Sequence, residues 1–250
     1  MADGILLVHA FPVDARMWEP QVERFGAAYT VVAPDLPGFG GSPGAGEVMS
    51  MGAAAERCLG SLEVAGVGVA VVCGLSMGGY VALELWRRVP GRIAGFVLAN
   101  TTAAADTEER AAGRRALAER LRAEGTGFLV EDPPPLLSQG APAELRAKVR
   151  QMIAEQPAEA IAAAALGMSE RPDSTGDLAS IDVPTLLVTS SEDTLIPPNV
   201  TGSMVELIRD ASLEVIEGVG HLSNLEAPDR FGDLLQRFCD RAGIGPEDEL

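Results

Sequence analysis

Histidine, cysteine and aromatic residues are all scarce in this chain of 250 residues. It has two histidines and three cysteines, and aromatic residues make up 4% of it. Ala, Leu and Val must therefore fill most of any core. The odd number of cysteines and their wide spacing, at Cys58, Cys73 and Cys239, exclude a disulfide framework and favour a reducing compartment. The same scarcity, with no C-x-x-C spacing and two distant histidines, predicts that the protein has no metal site.

Long apolar runs and positive charge are also lacking. No window approaches the roughly 18 unbroken apolar residues of a membrane span, and the N-terminal apolar run has no basic leader and is too short for a signal peptide. Lysine and arginine number 19 against 36 aspartates and glutamates, which gives a net charge of −17. Such a surface repels nucleic acid and anionic membranes. We therefore expect a cytoplasmic protein with neither as a partner; the sequence leaves its oligomeric state open.

Short apolar runs separated by helix-like patterns predict an α/β protein. The length suits one sizeable domain, or one domain with a large insertion. The runs are near-continuous rather than alternating, which is typical of a mostly parallel sheet with helices on both faces. The predicted strands are 5–10, 30–35, 69–74, 93–100, 184–190 and 212–217. The predicted helices between and after them include 53–64, 81–89 and 224–241.

The segment 103–177 breaks this alternation. It has no convincing strand, and helix-like stretches cover 108–124, 143–154 and 158–168. It is too long for an ordinary connection, and such insertions beside a sheet edge are often functional. We predict a helical cap, or lid, over a site, with 1–102 and 178–250 forming the core. The alternative is a helical subdomain that only packs against the sheet.

Two further expectations concern side chains of this segment. Arginines recur amid glutamates at near-helical spacing, which predicts a solvated charged face; a carboxylated substrate would need one of them to turn inward. These arginines are Arg114, Arg115, Arg120 and Arg122. The apolar side chains suggest a hydrophobic pocket, although no substrate-binding residue is assigned. They include Phe128, Leu136, Leu137, Met152 and Met168.

The stretch Gly-Leu-Ser-Met-Gly, residues 74–78, lies where a buried strand ends and a helix begins. A sharp strand-to-helix turn forces the central residue to a positive φ and crowds the positions beside it. The positions beside the serine must therefore lack bulk, as Gly74 and Gly78 do. The hydroxyl of Ser76 is expected to stand above the carboxyl ends of the strands. The helix N-terminus there favours a developing negative charge. With this context we interpret Ser76 as a nucleophile rather than as part of a structural turn.

A serine nucleophile needs a base, and the base needs a carboxylate. His221 lies between the last predicted strand and the last helix, at the same sheet edge as Ser76, whereas His9 at the end of the first strand could be a core or loop histidine satisfied by backbone. Chain order favours His221. Asp193 follows the strand 184–190 in a turn stopped by proline, and we prefer it to the adjacent Glu192 as the acid.

An oxyanion hole is the remaining requirement. One donor is the backbone N–H of Met77, which follows the nucleophile. The second is expected from the loop after the first strand, where Phe11 is the candidate because Pro12 has no N–H.

Five stretches of the chain together resemble the α/β-hydrolase superfamily, and most closely 3-oxoadipate enol-lactonase-like carboxylesterases. They are LVHAFP (7–12), VVAPDLPGFGGS (31–42), GLSMGGYVALEL (74–85), SSEDTLIPP (190–198) and GVGHLSNLEAP (218–228). The resemblance implies the α/β-hydrolase fold with the insertion after Asn100 as its cap. It also implies the same site: Ser76 as nucleophile, Asp193 as acid, His221 as base, and Phe11 and Met77 as oxyanion donors. One departure is Ala10, where the family usually has glycine; we expect the added methyl group to narrow the entrance to the oxyanion hole.

The function implied is hydrolysis of a small carboxylic ester or lactone through an acyl-enzyme on Ser76, with no cofactor. Branches with an aspartate nucleophile are disfavoured because position 76 is serine. Two alternatives use the same triad, namely cofactor-free perhydrolase (haloperoxidase-like) chemistry and carbon–carbon bond hydrolysis. A third alternative, a non-catalytic ligand-binding protein, is disfavoured by the complete Ser, His and Asp set.

Overall fold

A single parallel sheet organises the molecule. The computed structural model describes residues 2–44 and 46–245. Within these residues, six strands form one sheet in the order β2-β1-β3-β4-β5-β6, and every neighbouring pair is parallel. The strands are β1 (Ala2–Val8), β2 (Thr30–Val32), β3 (Val67–Leu75), β4 (Ile93–Ala99), β5 (Thr185–Ser190) and β6 (Ala211–Ile216). The predicted α/β architecture with a parallel sheet is confirmed, and each apolar run contributes one strand.

Helices connect and flank these strands. They are α1 (Glu19–Phe25), α2 (Met51–Val64), α3 (Met77–Arg88), α4 (Glu108–Glu124), α5 (Gly127–Glu131), α6 (Ala143–Ala154), α7 (Ala158–Ser169), α8 (Pro198–Gly202), α9 (Ser223–Glu226) and α10 (Pro228–Arg241). Helix α3 packs on β3, α2 packs on α3, and α1 packs on α10. No helix in the described part of the chain is long and apolar enough to cross a membrane.

The predicted helix 224–241 is divided in the structure. A short helix, α9, ends at Glu226, and α10 begins at Pro228. Pro228 has no N–H to donate, and its ring disfavours the helical conformation at the preceding residue. Ala227 accordingly adopts φ −130° and ψ 62°, outside the helical region. The chain therefore turns between the loop that carries His221 and the last long helix.

Small aliphatic side chains form most of the core, as the scarcity of aromatic residues requires. All of β5 and nearly all of β3 are buried, which is typical of strands covered on both faces. The largest fully buried aromatic side chains are Trp18, Phe25, Phe39, Phe96 and Phe231. The cysteines are free and buried, and burial raises the pKa of the Cys58 and Cys239 thiols to about 12. They therefore behave as small core residues.

Between β4 and β5 the chain forms α4 to α7, and α4 packs along α7. Helices α4 and α6 begin and end at the predicted residues, and α7 extends one residue further. Thr107 caps α4, because its hydroxyl accepts a hydrogen bond from the N–H of Arg110 at 3.3 Å. Helix α5 was not predicted, because its five residues are too few to show a period.

Candidate active site

Ser76 occupies a strained turn between β3 and α3. Its φ of 55° and ψ of −115° lie in a region that residues other than glycine seldom adopt. Three hydrogen bonds hold the turn. The N–H of Ser76 donates to the carbonyl of Ala99 at 2.9 Å, and the Ser76 carbonyl accepts from the N–H of Gly79 at 2.9 Å and the hydroxyl of Thr101 at 2.8 Å. Strain maintained by surrounding structure is a feature of functional sites.

The glycines around Ser76 are required by close backbone contacts. A Cβ on Gly74 would lie 2.3 Å from the carbonyl oxygen of Gly78, and a Cβ on Gly78 would lie 2.1 Å from that of Val8. Both distances are far below van der Waals contact. The expectation that neither position can carry a side chain is confirmed. The contact with Val8 also places the start of α3 against the end of β1.

His221 and Asp193 form a buried hydrogen-bonded pair. The Nδ1 atom of His221 lies 2.8 Å from Oδ2 of Asp193, and both side chains are almost inaccessible to solvent. The Oδ1 atom of Asp193 accepts hydrogen bonds from the N–H groups of Leu195 and Ile196, each at 2.9 Å. Because Nδ1 faces a carboxylate, it carries the proton in neutral His221 and leaves Nε2 as an acceptor. This is the tautomer that a general base for serine needs.

The electrostatic environment keeps Asp193 ionised. Burial acts to raise the pKa of this carboxyl, but the hydrogen bond and charge of His221, the N–H of Ile196 and the amide of Asn100 outweigh it, so the pKa lies below its usual value. No pattern in the sequence predicts a role for Asn100 in this site. Its Nδ2 donates to Asp193 Oδ2 at 2.9 Å and to Ser190 Oγ at 2.6 Å, and its Oδ1 accepts from the hydroxyl of Ser223 at 2.7 Å. Asn100 therefore links the ends of β4 and β5 to the segment that follows His221.

The alternative acid, Glu192, and the alternative base, His9, make other contacts and do not join this pair. Glu192 is exposed, and its N–H donates to the carbonyl of Val219. His9 is fully buried: its Nδ1 donates to the carbonyl of Ala10, and its Nε2 accepts from the N–H of Leu36, each at 3.0 Å. Burial lowers the pKa of His9, although a backbone hydrogen bond and the charges of nearby aspartates oppose this. With both ring nitrogens used by backbone groups, His9 is a structural residue.

The candidate oxyanion donors lie on the two segments that flank Ser76. Met77 is the first residue of α3, where N–H groups have no partner within the helix. Phe11 follows β1, whose Val8 is paired in register with Gly74. No hydrogen bond within the described part of the chain uses the N–H of either candidate. Ala10 is fully buried, and its N–H donates to the sulfur of Met17 at 3.1 Å.

Ser76 and His221 line one cavity of about 290 Å³. No hydrogen bond joins their side chains among the residues that the structure describes; catalytic hydrogen bonds are often long in the absence of substrate. The residues that line the cavity come both from the part of the chain that forms the sheet and its flanking helices and from the segment between β4 and β5. The apolar side chains that line the cavity are Phe11, Leu117, Leu129, Pro134, Leu136, Met168, Leu195 and Ile196.

The prediction of which apolar residues form the pocket was partly wrong. Leu136 and Met168 line the cavity, but Phe128, Leu137 and Met152 do not. Phe128 lies under the guanidinium group of Arg120, whose carbon is 3.8 Å from the ring centre. Leu137 faces a neighbouring cavity, and Met152 is buried in the core.

The prediction of a solvated arginine face was wrong for Arg114. Arg114 and Arg110 both line the cavity, and the side chain of Arg114 is only 17% exposed. Arg115 and Arg120 do lie on the solvent side, paired with glutamates. Arg110, Arg114 and the cavity-lining Leu117 are spaced i, i+4, i+7, so all three lie on one face of the helix. That spacing was the available signal.

The fold and this site together define the class of protein. The chain belongs to the alpha/beta hydrolase family, whose model matches residues 5–234. Within residues 2–44 and 46–245, no group of three or more histidine, cysteine or acidic side chains is arranged to hold a metal ion.

Particular relatives include lactonases and esterases. A curated relative, 3-oxoadipate enol-lactonase 1 of Acinetobacter baylyi, is 31% identical over 95% of this chain and 88% of its own length. A pimeloyl-[acyl-carrier protein] methyl ester esterase of Neisseria meningitidis is 27% identical over 94% of this chain and 93% of its own. Among solved structures, a thermophilic esterase from Thermogutta terrifontis, solved with malate bound, superposes with a TM-score of 0.93 and 39% identity, covering 97% of this chain and 90% of that one.

Proposed function

We propose that this protein is a serine hydrolase that cleaves a small carboxylic ester or lactone through an acyl-enzyme on Ser76. The observation that carries the proposal is the buried pair of His221 and Asp193 beside the cavity that Ser76 lines. The relatives named as enol-lactonase, methyl ester esterase and thermophilic esterase support the same reaction class. The cavity, at about 290 Å³, favours a small substrate, because ligand pockets usually span about 300 to 1,000 Å³.

In the first half of the reaction, Nε2 of His221 takes the proton of the Ser76 hydroxyl as its oxygen attacks the carbonyl carbon. The negative charge that develops on the carbonyl oxygen is stabilised by the N–H groups of Met77 and Phe11. The imidazolium is stabilised by the ionised Asp193. It then gives its proton to the departing alkoxide, which leaves as an alcohol or, from a lactone, remains tethered to the acyl group.

In the second half, water attacks the acyl-enzyme. His221 takes a proton from the water, the same two N–H groups stabilise the second tetrahedral intermediate, and the ester bond to Ser76 breaks. The proton returns to the Ser76 oxygen, and a carboxylic acid is released. Apart from the attacking water, these steps use only groups that the chain itself supplies.

The segment 103–177 acts in this proposal as the cap of the active site, with 1–102 and 178–250 as the core. Its support is the shared cavity, in which Leu117, Leu129, Leu136 and Met168 of the segment face Ser76 and His221. A wall of this kind excludes water from the reacting carbonyl and strengthens the electrostatic contacts there.

The decisive experiment replaces Ser76 with alanine and measures hydrolysis of p-nitrophenyl butanoate. Activity should fall to the background rate, and a fluorophosphonate probe should label the native protein on the peptide that contains Ser76 but should not label the variant. Ser61→Ala, on α2, is the matched control and should behave as the native protein does. Hydrolysis that survives in Ser76→Ala would overturn the proposal.

A further inference from the structure

The charge on the wall of the cavity differs in sign from that of the whole protein. The chain has a net charge of −17. The charged side chains that line the cavity are nevertheless Arg110 and Arg114, in addition to the titratable His221, and no carboxylate of the described residues is among them. Glu108, beside them on α4, pairs with Arg115 on the solvent side. A positive wall in a strongly acidic protein indicates selection for an anionic ligand.

A buried carboxylate holds two arginine side chains in place, Arg114 in the wall of the cavity and Arg171. The side chain of Asp106 is 1% exposed and lies against Arg114 and Arg171. Arg171 Nη1 is 2.8 Å from Asp106 Oδ1. Burial acts to raise the pKa of Asp106, but the hydrogen bonds and charges of Arg114 and Arg171 outweigh it and lower the pKa. Asp106 is therefore ionised, and it compensates one of the positive charges around it.

Arg114 and Arg171 also have other partners. Arg114 Nη1 donates to the sulfur of Met168 at 3.3 Å. Arg171 donates to the carbonyls of Met168 and Ala104, at 2.9 and 2.8 Å, and its guanidinium carbon lies 4.1 Å from the ring centre of Tyr80. Arg114 is therefore held as part of the wall of this cavity, and Arg171, which lines a neighbouring cavity, is held beside Asp106.

Arg110 is different. It approaches the same Asp106 no closer than 3.9 Å, beyond hydrogen-bond distance. Its guanidinium makes no hydrogen bond within the described part of the chain, and its side chain is 48% exposed. Arg110 is thus a charged, bidentate donor at the cavity wall whose partner carboxylate is already occupied by two other arginines. A planar guanidinium group with free donors matches the geometry of a carboxylate.

We infer that the cavity contains a carboxylate-binding subsite, and that Arg110 binds a carboxylate which the substrate carries in addition to the ester or lactone group that is cleaved. This inference rests on the proposed function and narrows it to half-esters of dicarboxylic acids, lactones that bear a carboxylate, and esters of hydroxy acids. Arg114 and Arg171 contribute positive potential from fixed positions, and Arg110 makes the direct contact. It is a specificity-determining residue and takes no part in proton transfer.

The test uses two matched pairs of esters. Monomethyl adipate is compared with methyl hexanoate, which places the carboxylate on the acyl side. 4-Acetoxybutanoate is compared with butyl acetate, which places it on the alcohol side. In each pair a carboxylate replaces a methyl group, and acid release is followed by titration at constant pH. We expect the native enzyme to have the higher kcat/KM for the carboxylated member of at least one pair.

In that pair, Arg110→Gln should lower the ratio of the two kcat/KM values by about ten- to a hundredfold, mainly through KM, because a charge-assisted hydrogen bond is lost. Arg110→Lys keeps the charge without the planar fork and should recover part of the ratio. Arg115→Gln, on the solvent side of the same helix, is the control and should leave the ratio unchanged. Adipate should inhibit the native enzyme competitively and Arg110→Gln less strongly.

The outcomes separate this inference from the proposed function. If neither member of either pair is hydrolysed and Ser76 is not labelled by a fluorophosphonate, the proposed hydrolase function fails. If the neutral esters are cleaved but the carboxylated esters are not preferred, or if Arg110→Gln leaves the ratio as it was, the subsite is overturned while the hydrolase stands.

Discussion

Ser138 donates two hydrogen bonds to the carboxylate of Glu226, from its backbone N–H at 3.0 Å and from its hydroxyl at 2.6 Å. Glu226 lies on α9, directly after the His221 loop, whereas Ser138 belongs to the segment between β4 and β5. The same carboxylate accepts a hydrogen bond from the N–H of Gly220, the residue before His221, at 2.8 Å. Glu226 therefore joins the segment 103–177 to the loop that carries the candidate base.

This junction predicts the effect of Glu226→Gln. Glutamine keeps the shape but replaces one acceptor oxygen with an amide that donates, so at least one of the hydrogen bonds from Ser138 and Gly220 is lost. We expect an unfolding free energy lower by about 1 to 3 kcal/mol. We also expect a fall in kcat of roughly tenfold, because small misplacement of a catalytic group is costly. Urea denaturation and p-nitrophenyl butanoate kinetics measure the two effects.

The control for this change is Glu217→Gln. Glu217 is exposed on the turn after β6, near the same loop but without a hydrogen bond to it. Glu217→Gln should leave both kcat and the unfolding free energy unchanged. If Glu226→Gln matched the control in both measurements, Glu226 would have no positioning role.

The difference between Ser76 and Glu226 explains how far the sequence can predict this molecule. That Ser76 and His221 lie at one cavity could be predicted because a glycine-flanked serine and one of only two histidines stand after predicted strands, and a parallel sheet gathers such positions at one edge. The six apolar runs fixed the strands for the same local reason. Glu226 and Asn100 stand in no recognisable motif, and their contacts with Ser138 and Asp193 join positions more than 80 residues apart in sequence. Long-range pairing of that kind leaves no local pattern.

Arg110 and Arg114 lie between these two cases. Their spacing with Leu117 on α4 indicates a shared helix face. Without a known partner, however, the charge of an arginine side chain predicts that this face is exposed to solvent. The partner is Asp106, two residues before the helix begins, and its burial could not be read from the sequence. A buried carboxylate thus decides which arginines of the helix face inward.

Asp193→Asn should reduce kcat on the order of 10⁴-fold, because asparagine can donate to Nδ1 and so favour the wrong tautomer of His221. It also removes the charge that stabilises the imidazolium. The fold should persist, since an asparagine Oδ1 can still accept from the N–H groups of Leu195 and Ile196. The measurement is kcat for p-nitrophenyl butanoate, with circular dichroism to verify folding.

The matched control for Asp193→Asn is Glu192→Gln, one position away. Glu192 is exposed and does not pair with His221, so its replacement should change kcat less than twofold. A large loss in Glu192→Gln, or tenfold or smaller loss in Asp193→Asn, would reverse the assignment of the acid.

The lowered pKa of His9 predicts part of the pH dependence of the unfolding free energy. Its pKa in the folded protein lies below the ordinary value of 6.5, chiefly because burial disfavours the charged form, although Ala10, Asp35 and Asp14 act in the opposite direction. The unfolded chain therefore binds the proton more tightly. The stability contributed by neutral His9 is present above pH 6.5 and is lost as pH falls below it, at up to about 1.4 kcal/mol per pH unit.

The variant His9→Gln isolates this contribution. Glutamine does not titrate, so the unfolding free energy should fall less steeply between pH 7 and pH 5 in the variant than in the native protein. The comparison concerns slopes, so it holds even though the variant is less stable at every pH. Asp193, whose pKa is lowered from 3.8, loses its contribution only at more acidic pH and does not enter this window. Equal slopes in urea denaturation would contradict the prediction.

A pair of glycine-to-alanine changes measures how closely α3 packs against β1. In Gly78→Ala the added methyl group would lie 2.1 Å from the carbonyl oxygen of Val8, so helix and strand must separate. Overpacking of this kind costs about 1 to 3 kcal/mol. Separation would also move the N–H of Met77 relative to Phe11, so esterase activity should fall together with stability.

Gly60, inside α2, has no atom within 4 Å of such a methyl group. Gly60→Ala should instead stabilise the protein by about 0.4 to 1 kcal/mol, because alanine restricts the unfolded chain and favours the helix. Urea denaturation compares the two directly, and effects of the same sign would show that the tight contact at Gly78 does not constrain this turn.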